Sequence, residues 1–186
     1  MKWYDFIIVF IIIYVIASIV EYSVHKYVMH NPFPSLNYIY ESHIYHHKNA
    51  SLNPNLNLEE DDDNLCIPID KSIYMYTITV VFSYFVLLFY PKKIPFVYIG
   101  ICVLIILLFA VLIWNTYHPI IHGLDGRKVC GIYSFPSEQI NKNSEYTSFI
   151  INNHKAHHYY KNDEKGNYNI TLPFADFLFG SYNVIP

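Results

Sequence analysis

The stretch "LLFYPKKIPFVYI", Leu87–Ile99, decides the fold. Two prolines and two lysines break an otherwise apolar run whose arms are Ile73–Tyr90 and Ile94–Trp114. Proline has no amide N–H and clashes with the preceding helical turn, and it drives the residue before it out of the helical region. One helix therefore ends here and another begins, and the short "PKK" between the arms predicts an antiparallel helical hairpin. Each arm is close to the ~20 apolar residues needed to cross a hydrocarbon core. A third apolar run, Trp3–Val20, precedes them. With only Lys2 as a basic start and a histidine cluster about a turn beyond, it reads as a retained anchor rather than a cleaved signal.

Composition agrees with a membrane protein. The hydrophobic share is 53% and the charged share 15%, against about 25% charged in soluble domains. A net charge of -3 without a basic run excludes the electrostatic footprint of a nucleic-acid binder. The 186 residues suit one domain, 1–186, with a substantial core. Cys66, Cys102 and Cys130 are far apart and form no CxxC, so the expectation is three reduced thiols. The acidic run Glu59–Asp63 reads as a solvated loop.

Three crossings put everything polar on one face. Of the 12 Lys and Arg, all but Lys2, Lys92 and Lys93 fall on that side, so the positive-inside rule predicts a cytosolic polar face. The 10 histidines fall in four clusters there: His25 and His30 (HxxxxH), His43, His46 and His47 (HxxHH), His118 and His122 (HxxxH), and His154, His157 and His158 (HxxHH). On an α-helix, residues four apart share a face, so HxxxH and HxxHH each present a stripe of imidazoles. HxxxxH fits less well, because five residues advance about 140° past a full turn. That spacing predicts either two different metals for His25 and His30 or a helix end between them.

Ten imidazoles exceed the three or four protein ligands of one zinc site and are enough for two nitrogen-rich metal sites. Imidazole suits iron, copper, zinc and nickel alike. The carboxylate di-iron bundle needs ExxH pairs, and none occurs. A non-enzyme reading, a membrane metal-binding or transport protein, predicts ligands along the membrane interior. Here they lie beyond the apolar runs.

The four boxes "EYSVHKYVMH", "HIYHH", "WNTYHPIIHG" and "HKAHHYY", with the tail "NYNITLPFADFLFGSY", resemble the fatty acid hydroxylase and sterol desaturase superfamily of integral-membrane di-iron oxygenases. The resemblance implies an all-α integral membrane bundle of about three transmembrane helices carrying a cytosolic, histidine-rich metal-binding cap. It implies two iron ions held by the ten histidines, with zinc as a substitute in purified samples, and dioxygen as co-substrate. The expected reaction is hydroxylation of a fatty acyl or sterol C–H bond in lipid biosynthesis, with desaturation on the same centre as the alternative. Cytochrome b5 and its NAD(P)H-dependent reductase would act as separate electron donors, in the endoplasmic reticulum membrane. Metal-bound histidines usually donate their second ring N–H to an outer partner, and Glu21, Glu41, Asn115 and Asp176 are the candidates.

Overall fold

Helix α1 (Trp3–Val24) starts on Lys2, whose backbone N–H donates to the Asp5 carboxylate at 2.6 Å. The same buried carboxylate takes Lys92 Nζ at 2.6 and 2.7 Å and the Tyr90 hydroxyl at 3.3 Å. The start of α1 is thereby pinned to the turn joining α3 (Ile69–Leu87) to α4 (Phe96–Ile121). This turn holds Pro91 and the two lysines, as the hairpin reading predicts. It makes α1 parallel to α4 and antiparallel to α3, and the three pack through Val9, Ile13 and Ala17 against Val80, Leu87, Val103 and Ile106. The computed structural model describes residues 2–59, 65–141, 143–159 and 166–185. Among the described residues all regular structure is helical. The acidic run read as a solvated loop lies, apart from Glu59, outside them.

Two helical segments, Trp3–Met29 and Phe96–Ile121, are long and apolar enough to cross a membrane. The expected third span is shorter among the described residues: α3 ends at Leu87, before Pro91, and its apolar part is Ser72–Leu87. Among the described residues two helices are full-length spans, and α3 is a shorter third apolar helix. The outer faces of all three helices carry exposed large apolar side chains, among them Ile7, Ile11, Phe82, Phe85, Ile105 and Phe109. Apolar area on that scale is not left in water.

At the other end lie α2 (Asn37–Ser51), α5 (Gly126–Cys130), α6 (Glu145–Tyr159) and α7 (Ala175–Phe179). Ser144 caps α6, its hydroxyl accepting from Thr147 N at 3.0 Å. Pro119 in the last turns of α4 deprives the Asn115 carbonyl of its helical donor, and α5 begins directly over that carbonyl. A Cβ at Gly126 would stand 2.6 Å from Asn115 O. Gly126→Ala should therefore push α5 off α4 at a cost of about 1–3 kcal/mol, read as a lower thermal midpoint in detergent. An unchanged midpoint would mean that α5 adjusts without resistance.

The thiol expectation needs correction. Cys66 and Cys130 form a disulfide, and only Cys102, buried in the helical core, is free. The bonded pair is 64 residues apart, so the pairing depends on the fold bringing the α3 approach beside α5, which no local spacing announces.

Candidate metal centre

All four histidine boxes meet at the end of the bundle away from the hairpin turn. Both long helices run past their apolar stretches to reach it: α4 carries His118 in its last turn and ends at His122, and α1 continues through a wide π-helical turn, His25–Met29. That turn resolves the HxxxxH spacing. A π turn closes i to i+5, with His30 N donating to His25 O at 3.2 Å, and it brings the two rings to 5.3 Å between centroids. His25 and His30 thus serve one site, where an ideal α-helix would have turned them apart.

The imidazoles form two groups. His46, His118, His122, His154 and His158 offer nitrogens within 4.8 Å of one another, as do His25, His30, His43 and His157. Each HxxHH box is divided between them: α2 sends His43 to the second group and His46 to the first, and α6 sends His154 and His158 to the first and His157 to the second. The half-buried His47 stands at the join, its Nε2 3.0 Å from His43 Nε2 and 2.9 Å from His157 Nε2, with its ring 4.3 Å from that of His158.

The donor set fits metal ions. Within the groups Nε2 faces Nε2 at 3.2 Å (His25 and His43), 3.1 Å (His43 and His30), 3.3 Å (His30 and His157), 3.4 Å (His154 and His122) and 3.0 Å (His158 and His154). Nitrogens bound about 2.1 Å from a single ion are themselves about 3.0–3.4 Å apart. Three rings also have a fixed tautomer. His25 Nδ1 donates to the Tyr168 carbonyl at 2.8 Å, His118 Nδ1 to Leu65 O at 3.1 Å, and His122 Nδ1 to Leu56 O at 2.6 Å. Each is left with a bare Nε2 lone pair facing its group. Leu56 holds φ 61°, a left-handed conformation costly for a side-chain-bearing residue, while its carbonyl meets His122.

Outside the spanning segments, burial first and neighbouring imidazoles second hold His43, His47, His154, His157 and His158 well below the usual 6.5. Neutral imidazole is the form that binds metal. Above about pH 6.5 these groups are neutral folded or unfolded. Below it the unfolded chain takes up protons that the folded one refuses, so stability falls with pH by up to about 1.4 kcal/mol per unit for each group. The chelator-stripped protein should show a constant thermal midpoint from about pH 8 to 7 and a steady decline below about 6.5. A midpoint that holds into acid would contradict the neutral assignment.

The four outer-partner candidates occupy different places. Glu21 accepts from Asn169 Nδ2, Thr171 N, Thr171 Oγ1 and Leu172 N at 2.7–3.1 Å. Asp176 accepts from Tyr168 N, Asn169 N and Ser181 Oγ at 2.6–3.0 Å. Both therefore hold the tail segment that carries the Tyr168 carbonyl, rather than an imidazole. Asn115 likewise holds the backbone of Ile67, two residues past Leu65, through its Oδ1 at 2.8 Å and Nδ2 at 3.2 Å. Glu41 is exposed on α2 and accepts from Asn37. The groups that hold His25, His118 and His122 at Nδ1 are backbone carbonyls, which carry no side-chain signature in a sequence. A further unpredicted neighbour is Trp114, whose buried ring lies 4.4 Å from that of His118.

The tail is the second element that builds the site. Asn167 Nδ2 donates to Asn153 Oδ1 at 2.8 Å on α6, and Asn169 Nδ2 to Ser18 O at 2.8 Å on α1. Gly180, at φ 69°, supplies the left-handed residue that closes α7 and lets Ser181 N reach Asp176 O at 2.9 Å. A family model described as fatty acid hydroxylase matches residues 10–181, a range that takes in every histidine box and this tail. Neither a curated protein nor a solved structure matches the chain.

Proposed function

The chain belongs to the fatty acid hydroxylase family, which makes it a lipid hydroxylase-type oxidoreductase, and from that premise we propose a di-iron membrane oxygenase that inserts one oxygen atom of dioxygen into a lipid C–H bond. The carrying observation is the pair of adjoining nitrogen cages, one of five imidazoles and one of four. Iron held by them would supply the activation of dioxygen that attack on an unactivated C–H bond requires. The chain's own residues do the rest. Helices α2 and α6 give donors to both cages and so fix one against the other. The carbonyls of Leu56, Leu65 and Tyr168 hold three rings with their lone pairs inward. Burial of His46, His118, His122 and His154 keeps bulk water from the reacting atoms.

The apolar outer faces of α1, α3 and α4 suit a substrate that arrives through the bilayer, an acyl chain or a sterol. The reading extends to the endoplasmic reticulum, with the histidine end toward the cytosol and electrons delivered by cytochrome b5 and its NAD(P)H-dependent reductase. The excess of Lys and Arg on that side by sequence position supports this orientation. Transport of metal is the weaker reading, because the donors gather at one end of the bundle instead of along its interior.

The test is lipid mass spectrometry under labelled dioxygen, comparing cells making the intact chain with cells making the His157→Ala, His158→Ala variant. A lipid that gains one labelled oxygen only with the intact chain supports hydroxylation and identifies its class. Loss of two hydrogens without label would move the assignment to desaturation. No lipid change, with folding verified and donor supplied, would overturn the oxygenase reading.

A further inference from the structure

One covalent cross-link stands beside His118 of the five-histidine group. The Cys66–Cys130 disulfide ties α5 to the segment entering α3. The neighbouring carbonyl, that of the buried Leu65, accepts from His118 Nδ1 at 3.1 Å and lies 3.8 Å from Cys130 Sγ. On the other side of Cys66, Ile67 is gripped at both backbone polar atoms by Asn115, three residues before His118 on α4. Leu65 is thus held from two directions, by a covalent strap to α5 and by a two-bond clamp to α4, and what it carries is the oxygen that orients His118.

We propose that the Cys66–Cys130 disulfide, acting with Asn115, is a positioning device for His118, so that opening the bond loosens metal in the five-histidine cage and leaves the four-histidine cage unaffected. The proposal rests on the metal-centre reading of the preceding subsection. The asymmetry follows from the contacts. His118 belongs to the first group only, and the corresponding carbonyl in the second group, that of Tyr168, is held by Asp176 and the tail rather than by the strap.

The bond is also placed where it can be opened. A cleft of about 420 Å³ is lined by Cys66, Ile67, Pro68, Asn115 and Cys130, and Cys66 is partly exposed. In the cytosol thiols are kept reduced, and the disulfides that do form there are transient or redox-sensing. In the proposed cytosolic orientation the bond would be a transient, redox-sensing strap rather than a permanent one. Exchange with a dithiol protein would leave Cys66 and Cys130 as thiols, taking up two electrons and two protons while the dithiol becomes a disulfide.

The test uses the full chain in detergent, loaded with iron(II) under argon, and follows iron passing to an excess of chelator. Denaturing thiol titration of the intact chain should find one free thiol, and three after treatment with a phosphine, which leaves as its oxide with oxygen from water. Three free thiols at the outset would overturn the proposal. The phosphine-treated chain, the Cys66→Ser, Cys130→Ser variant and Asn115→Ala should each release one of two irons about 10- to 100-fold faster and the other at the unchanged rate. The phosphine acts on protein already folded, so that arm does not depend on how well a variant folds. Equal release with the bond closed and open, or acceleration of both irons together, would overturn the proposal while the metal-centre reading stands. An intact chain that takes up no iron would overturn that reading and the proposal with it.

Discussion

His122→Ala should leave the purified chain with one bound metal instead of two and lower lipid oxidation by more than about a hundredfold. His122 is fully buried in the five-histidine group, its Nδ1 is committed to the Leu56 carbonyl, and its Nε2 faces His154 at 3.4 Å. Loss of an outer partner alone typically costs about 10- to 100-fold in metal affinity or activity, and removal of the donor itself must cost more. His25→Ala is the counterpart, since it takes a nitrogen from the four-histidine group, and it should also leave one metal. Elemental analysis of the detergent-purified variants checks both. Two metals retained in His122→Ala, with normal turnover, would remove His122 from the ligand set.

The second large effect is expected from Asp176→Ala. This carboxylate is buried and accepts from Tyr168 N at 3.0 Å, Asn169 N at 2.6 Å and Ser181 Oγ at 2.6 Å. Its removal strands three buried donors at about 1–3 kcal/mol each. Set against a total stability of about 5–15 kcal/mol, the loss is enough to unfold the tail and in the worst case the bundle. The Tyr168 carbonyl then no longer holds His25, so the four-histidine site should empty at temperatures where the other stays loaded. Thermal unfolding and metal content, measured together, check this. A variant with the wild-type midpoint and both metals would show that the tail is held without its carboxylate.

How much of this was legible in the residues depended on whether a feature repeats locally. The hairpin was readable because proline and lysine interrupt an apolar run, and the structure turns there. The histidines were readable because their spacings match helical faces. Their allotment was not, since HxxHH says that three rings share a stripe and does not say that His43 and His46 serve different groups. The π turn at His25–Met29 was signalled only as a misfit, five residues where an α-helix wants three or four. Backbone carbonyls, which hold His25, His118 and His122, left no trace in residue identity. Asp176, Glu21 and Asn115 were visible as polar residues in suspicious places, but their role lies one bond further out than the sequence suggested. The Cys66–Cys130 bond is a product of tertiary structure alone, and the early end of α3 at Leu87, three residues before Tyr90, is set by the turn that Pro91 closes.

The division of each HxxHH box between the two cages has a mechanical consequence. With donors to both sites mounted on α2 and again on α6, the gap between the sites is set by the pitch of a rigid helix and not by the flexibility of loops. A slip of either helix along its axis would displace donors of both sites at once, while the donors on α1 and α4 stayed in place. Adjacent positions on a helix point about 100° apart, and on α6 the neighbours His157 and His158 face different sites. The unequal endowment of five nitrogens and four therefore follows from which helix positions carry histidine, with His157 alone on α6 facing the second site.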